Sequence, residues 1–271
     1  MLKNFAEYIL ERWGNQKHYI QDMDDYNVAM SKTIDDKIFF LNYVTPDVIV
    51  DFGCADGSTL KEIQNVNPNI KLIGYDLNAN MLDKAKQKVP NGYFTTKWED
   101  ILSIISQYNS PLLLLSSVIH EVYSYSNSAD ISLFWNRVFK SNFKYIAIRD
   151  MIPSSKLERM PVSDSDYEKI KSNISNKDII TTFENYWGPI NSNRRNFIHF
   201  LLKYRYYDNW DRELIENYVP ITRETLERKI PASWTKLYYE SFTLPFLKRQ
   251  VENDFNIELK DETHIKLLLS R

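Results

Sequence analysis

The sequence predicts an α/β protein built on a doubly wound, mostly parallel seven-stranded sheet whose last strand runs antiparallel. Three observations carry this prediction. Short apolar runs alternate with helix-forming segments from residue 48 to residue 150, the rhythm of βαβ units. These runs are punctuated by Pro, Gly and Asp, the residues that stop strands and helices. The chain closes on two apolar segments separated by a two-residue link, which permits only an antiparallel hairpin.

In chain order, residues 2–44 read as two or three helices, the last being Asp35–Tyr43, stopped by Thr45-Pro46. Val48–Val50 is a short buried strand and Leu60–Val66 a helix. Ile70–Tyr75 (IKLIGY) is a second strand, Asn80–Lys88 a helix ended by Pro90, and Gly92–Thr95 a third strand. Leu112–Val118 is a fourth strand, Ile131–Lys140 a helix and Tyr145–Ile148 a fifth strand. Alternation then stops until Thr243–Asp254, a helix, which precedes strands at Asn256–Lys260 and His264–Ser270 around an Asp261-Glu262 turn. The expected organisation is therefore an N-terminal helical segment (1–44), a ligand-binding α/β domain (45–151 and 243–271), and a largely helical insertion (152–242) forming a lid over the carboxyl edge of the sheet.

Composition narrows the function. The 271 residues are 43% apolar, enough for a full core, and carry a net charge of −2 from 34 basic and 36 acidic side chains. No global basic field exists to hold nucleic acid without regard to sequence. One cysteine, Cys54, excludes an internal disulfide and a cysteine metal cluster, and four scattered histidines form no ligand motif. No metal site is expected. No run of about 18 apolar residues and no signal-peptide core appears. A soluble cytoplasmic protein without membrane association is expected.

The stretch Val48–Ser58, VIVDFGCADGS, leaves a buried strand through an acid and a small-residue loop. In open α/β sheets ligands sit beyond the carboxyl ends of the strands. Asp51 and Asp76 fall there, and an acid after the second strand can accept the hydroxyls of a ribose. The loop is G-C-A-D-G rather than G-x-G-x-x-G, with Asp56 where a pyrophosphate would be repelled. A ligand carrying an ammonium and a sulfonium fits better.

These residues resemble the class I, Rossmann-like S-adenosylmethionine (SAM)-dependent methyltransferases. VIVDFGCADG is similar to their first motif, with Ala55 in place of the middle glycine. KLIGYDLNANMLDKA (Lys71–Ala85) is similar to the second, and PLLLLSSVIHEV (Pro111–Val122) to the fourth-strand motif. The resemblance spans about half to two-thirds of the chain. It implies that SAM is the cofactor and S-adenosyl-L-homocysteine (SAH) the product. It further implies that Gly53, Cys54, Ala55 and Gly57 wall the amino-acid part and that Asp51 faces its ammonium. Asp76 would accept the ribose hydroxyls and Leu77 would pack on adenine. Trp98 and Glu99 follow the third strand, where the family contacts adenine, with Lys97, Glu99 and Asp100 as the alternatives for its usual acid, and Ser116 or Ser117 would line the methionine part.

An acceptor that must lose a proton needs a base. His120 and Glu121, past the fourth strand, are the best-placed candidates, with a histidine that only shapes the pocket or satisfies a carbonyl as the alternative. Arg149-Asp150 past the fifth comes next, with Asp150 as a catalytic candidate and Arg149 as a substrate contact, or the two as a structural ion pair. The absence of an N/D-P-P-aromatic tetrapeptide argues against amino-DNA methylation, and the single cysteine in the loop excludes cysteine-driven pyrimidine C5 chemistry. Substrate identity falls to residues 152–242, which carry 14 basic and 13 acidic residues. There, Asn191–Trp210 read as a helix places Phe197, Phe200, Leu201 and Tyr204 on one face. Arg195, His199 and Lys203 form a basic stripe at i, i+4, i+8. The stripe suits a phosphate-bearing acceptor; an ordinary solvated face is the alternative. The expected activity is methyl transfer to an O or N of a small molecule, with a nucleotide or RNA acceptor, or SAM binding without turnover, as the other readings.

Overall fold

The computed structural model describes residues 34–271. The helices expected within residues 2–33 lie outside the described residues. The chain divides into two compact units. The first holds the described residues up to Asp150 with Ile230–Glu240 and Lys266–Arg271; the second holds Met151–Lys229 and Ser241–Ile265.

In the first unit, a short helix α1 (Ile34–Lys37) and a 3-10 turn (Phe39–Asn42) precede β1 (Val48–Phe52). Then follow α2 (Ser58–Val66), β2 (Lys71–Tyr75), α3 (Ala79–Lys88), β3 (Tyr93–Thr95) and α4 (Trp98–Ile105). Next come β4 (Pro111–Ser116), α5 (Ile119–Tyr125), α6 (Ser128–Lys140) and β5 (Tyr145–Asp150). Apolar, largely β-branched residues make β1 a central strand: Val48, Ile49 and Val50 are fully buried, paired in parallel with β2 on one side and β4 on the other. Asp47 fixes the start of this register, because its carboxylate accepts the Asn109 and Ser110 backbone N–H groups ahead of β4. Asn78 and Asn127 cap α3 and α6, each accepting two backbone N–H bonds.

The sheet has seven strands in the order β3-β2-β1-β4-β5-β7-β6, with an antiparallel last strand. The chain winds outward from β1 in one direction and from β4 in the other. The strand order therefore reverses between β1 and β4, the position where open α/β sheets form a crevice.

Two elements differ from expectation. Residues 256–260 form no strand: α12 (Pro245–Phe255) ends at Asn256 in a left-handed conformation, and Ile257 and Leu259 are buried in the second unit's core. The neighbour of β7 (His264–Ser270) is instead β6 (Thr235–Phe242), an edge strand whose residues are exposed or half-buried. Its sequence, TKLYYESF, interleaves Leu237, Tyr238, Tyr239 and Phe242 with charged and polar residues, as an edge strand facing solvent tolerates. The hairpin expected from the Asp261-Glu262 link is accordingly absent, and α12 belongs to the second unit.

The second unit contains α7 (Asp164–Asn173), α8 (Asp178–Trp187), α9 (Arg194–Lys203), α10 (Trp210–Ile215), α11 (Arg223–Lys229) and α12. Asn193 caps α9, its side chain accepting the Asn196 N–H at 2.9 Å. Phe197, Phe200 and Leu201 are buried, as their spacing predicts, but so are Ile198, His199 and Lys203. The helix is central and has no solvated basic stripe. Lys203 is fully buried. Its ammonium donates to the Glu213 carbonyl at 2.6 Å and to the Glu216 carbonyl, between the rings of Phe183, Trp187 and Tyr218. His199 accepts the Tyr218 N–H at 3.3 Å, and burial holds its pKa well below the usual range. Arg195 donates to the Val219 carbonyl and pairs with Glu158 at 3.4 Å. Tyr204 donates its hydroxyl to Asp254 at 2.7 Å. His199, Lys203 and Tyr204 are engaged inside the unit, and the half-buried Arg195 is held by Val219 and Glu158. Periodicity could not reveal this, because a buried lysine satisfied by carbonyls has the same spacing as a solvated one.

Replacing Lys203 with Met leaves two buried carbonyls without their donor. The substitution is expected to lower unfolding free energy by about 3–5 kcal/mol. Urea unfolding measures this; an unchanged midpoint would return Lys203 to the solvated face.

Candidate functional site

The loop after β1 is built on left-handed backbone. Gly53 and Gly57 have φ +76°, and Ala55 has φ +44°. A side chain at Gly53 would place Cβ 2.8 Å from Val118 Cγ2, and one at Gly57 would place it 2.9 Å from Ala85 Cβ. Both glycines are thus required by conformation and by space. Ala55 occupies the position where the resembling motif has its middle glycine, and it adopts the conformation that glycine would. The Gly53 and Cys54 N–H groups donate to the Tyr75 carbonyl, at 2.7 and 3.0 Å.

Asp76, at the end of β2, is half-buried and accepts the Ala55 N–H at 2.9 Å and the Asn78 N–H at 2.8 Å. An ionised carboxylate has about four acceptor positions, so capacity for ligand hydroxyls remains. Leu77, next in the chain, is half-buried.

Asp51 is 4% exposed, opposite Gly74 of β2 and Leu114 of β4. Burial pushes its pKa up to about 7 against the favourable charge of Lys37. Lys37 is 8% exposed, and burial lowers its pKa to about 8, with the positive charge of Arg149 adding to the effect. Asp56 is committed elsewhere: its carboxylate binds Lys88 Nζ, the Ser58 hydroxyl at 2.8 Å and the Ser58 N–H at 3.1 Å. Cys54 is buried, and burial raises its thiol well above the usual range.

At the ends of β4 and β5, Asp150 organises the backbone. It is 1% exposed and accepts the Val118 N–H at 2.9 Å and the Ile119 N–H at 2.7 Å, at the start of α5. Its other oxygen lies 2.9 Å from His120 Nδ1. Because a carboxylate holding two N–H donors is an acceptor, Nδ1 carries the proton and Nε2 is the basic nitrogen. His120 is 3% exposed, whereas Glu121 is half-buried on the same turn. Arg149, also 3% exposed, donates to the Ser117 hydroxyl at 3.0 Å, and Ser117 stands in the left-handed region at φ +56°. The Ser116 hydroxyl is buried without a hydrogen-bond partner.

Trp98 and Glu99 begin α4. Trp98 is 3% exposed and packs edge-on against Phe52 and Tyr75, as part of the core. Glu99 has a 78% exposed side chain, 3.9 Å from Arg137. After β3 the ordered polar group is instead Thr95, whose hydroxyl donates to Asp100 at 2.8 Å. Sequence reasoning missed Lys37; its only signal is the Phe39-Phe40 pair beside it, whose burial takes the lysine inside.

Among the described residues, no cluster of His, Cys, Asp and Glu is arranged to hold a metal ion, and no helix is long and apolar enough to cross a membrane. No protein-family model and no curated protein sequence matches the chain. Solved structures match it. One is a SAM-dependent methyltransferase from Anabaena variabilis ATCC 29413, at 12% identity and TM-score 0.50, covering 92% of this chain and 94% of that one. Another is the plantazolicin methyltransferase BamL, in complex with a triazolic desmethylPZN analogue and SAH. It has 12% identity and TM-score 0.51, covering 98% and 95%. A third, the plantazolicin methyltransferase BpumL with a pentazolic analogue and SAH, has 12% identity, TM-score 0.50 and the same coverage.

The buried charges give this site a pH signature. Between its ordinary 3.8 and about 7, Asp51 holds a proton in the folded state but not in the unfolded state. Stability is therefore lost as pH rises through that window. The penalty on Lys37 lies higher and is relieved as pH rises from about 8 toward 10.5. Asp51→Asn is expected to flatten the lower window. Urea midpoints from about pH 4 to 7 test this, and identical profiles for the two proteins would exclude a titrating Asp51.

Proposed function

The chain has the fold of the class I SAM-dependent methyltransferases, and we propose that it has their activity: transfer of a methyl group to an O or N of a small-molecule acceptor. The observation that carries this reading is Asp76, held by the Ala55 N–H of a left-handed, small-residue loop. That arrangement offers a carboxylate to ribose hydroxyls and an open backbone wall to the amino-acid part. The buried, unpartnered Ser116 hydroxyl at the adjoining strand end supports the same ligand. When bound, SAM supplies an electrophilic methyl group on a good leaving group.

The protein's own share is then positioning and proton removal. Gly53, Cys54, Ala55 and Gly57 wall the methionine part, with Ser117 beside it. Asp76 holds the ribose and Leu77 covers adenine. Asp150 orients His120 through Nδ1, and His120 Nε2 takes the proton that the acceptor hydroxyl or amine loses. Glu121 and Arg149 flank this base, with Arg149 anchored on Ser117. A small acceptor is favoured over a nucleotide because Arg195, His199 and Lys203 are engaged inside the second unit.

Asp76→Ala removes hydrogen bonds to a charged group, each contributing about 1.5–3 kcal/mol. SAH affinity is expected to fall by about one to two orders of magnitude. Calorimetry with SAH decides the matter: wild-type affinity in the variant removes the ribose assignment, and absence of SAH binding by the wild type removes the function.

His120→Ala is expected to lower kcat by about 10²–10⁴ with little change in SAH affinity. If turnover persists at every pH in a screen of small hydroxyl and amine acceptors, His120 only shapes the site.

A further inference from the structure

The two borders of the sheet are built differently. Strand β3, at one border, is three residues long, and so short an edge offers little backbone to another chain. Strand β6, at the other border, is eight residues long and contains no proline. Among the described residues no strand pairs with its outer side. Leu237 and Tyr239, two apart and so on one face, are 47% and 39% exposed. An edge this long, with apolar side chains open to water, is a template for a further strand.

The backbone sets which residues such a strand can meet. The carbonyl of Phe242, the last residue of β6, accepts the N–H of Thr263, one residue ahead of β7, at 3.0 Å. The two strands therefore run antiparallel, with Phe242 bonding toward β7. Backbone groups alternate sides along a strand, so Glu240, Tyr238 and Lys236 also bond toward β7, and Thr235, Leu237, Tyr239 and Ser241 direct their N–H and C=O groups outward. An antiparallel partner must match outward-bonding residues with its own outward-bonding residues. For a second copy of β6, the register of greatest overlap is then centred on Tyr238.

That register is complementary in charge and in polarity. It sets Lys236 of each copy opposite Glu240 of the other, and Leu237 opposite Tyr239, each pair occurring twice by symmetry. Glu240 accepts the Tyr238 hydroxyl at 2.9 Å and lies 3.1 Å from Lys266, yet its side chain stays 39% exposed and open to a second cation. Tyr238 meets its own copy on the axis, and the exposed Tyr43, stacked on Tyr238 at 4.4 Å, lengthens that aromatic row. Moving the centre to residue 237 or 239 sets Lys236 against Tyr238 or Phe242 and loses both ion pairs. We propose that β6 is a homodimer interface: two copies of the chain pair β6 with β6, antiparallel about a two-fold axis at Tyr238, and join their sheets into one. The proposal does not depend on the SAM reading.

The test is the oligomeric state of the full chain, by sedimentation velocity over a dilution series. The wild type is expected to sediment as a dimer that dissociates on dilution. Lys236→Glu turns both ion pairs into repulsions, and Leu237→Glu sets a carboxylate in the apolar contact. Each is expected to raise the dissociation constant about ten- to a hundredfold, because every change counts twice across the axis. Lys236→Arg, which keeps the charge, should keep the dimer. Both positions are exposed, so these variants leave the monomer's fold intact. Cysteines read the register. The two copies of residue 238 face each other as a non-hydrogen-bonded pair with Cα atoms about 4.5 Å apart, within disulfide range. Residue 237 lies diagonal to its own copy, about 7–8 Å away and beyond that range. Tyr238→Cys is therefore expected to form a covalent dimer under mild oxidation and Leu237→Cys is not, while the native Cys54 is buried. A wild type that is monomeric at every concentration overturns the proposal; an edge covered by residues 1–33 of the same chain would give this result. A dimer that neither glutamate variant weakens, or that a folded Tyr238→Cys protein does not cross-link, uses another surface and overturns it as well.

Discussion

The carboxylate of Asp76 accepts the Ala55 and Asn78 backbone N–H groups, and in doing so ties the end of β2 to the loop after β1. Apart from Asp56, which is bonded to Lys88 and Ser58, that loop's side chains are small or absent. Gly53 and Cys54 hang from the Tyr75 carbonyl, and Ala55 stands at positive φ, a conformation costing an L-residue roughly 1–2 kcal/mol. The Asp76 bond offsets part of that cost. The same oxygen atoms that position the loop would hold a ribose, so the wall for one end of the ligand and the hook for its middle share one anchor. A change at Asp76 therefore acts on loop geometry as well as on direct contact.

Two buried lysines with similarly depressed pKa values differ in the partners around them. Lys203 and Lys37 both have depressed pKa values, and in both burial is the first cause. Around Lys203, two carbonyls take the ammonium's protons and three aromatic rings surround it. Glu213 and Glu216 add favourable charge. Nothing there calls for a ligand. Around Lys37 the charges of Asp51 and Asp56 attract and that of Arg149 repels. Perturbation alone would rank the two sites alike; the hydrogen-bond inventory is what separates them.

Much of the first unit was legible in the sequence because its strands are short, apolar and sharply punctuated. Val48–Phe52, Lys71–Tyr75 and Tyr145–Asp150 coincide with their expected cores, and the small loop and Asp76 could be read from residue type. Three things were not legible. Edge strand β6 mixes Leu237, Tyr238, Tyr239 and Phe242 with Lys236, Glu240 and Ser241 in no alternating order, so its pattern carried no clear strand signal. Ile257 and Leu259 alternate as strand residues do, yet their burial is in the second unit rather than in a ladder. Trp98 and Glu99 were placed by register after β3, but α4 begins there and turns Trp98 into the aromatic core. Helical spacing likewise located α9, while the polarity of its surroundings, which decides whether Lys203 meets water or carbonyls, depends on residues 213–218 and leaves no mark on the helix itself.

Asp150 couples the proposed chemistry to the backbone. One oxygen accepts two N–H groups at the start of α5, and the other holds the His120 ring. The N–H pair fixes the carboxylate, and a fixed carboxylate orients the His120 ring. The base is thereby oriented by the same contact that sets where its helix begins. This geometry explains why a histidine 3% exposed can be a candidate base at all: its position is set by the strand ends, where acceptor and methyl donor would meet, and its basic nitrogen is defined before any acceptor arrives. It also means that removing Asp150 disturbs α5 together with the tautomer. His120 itself is the residue at which proton transfer and local structure can be told apart.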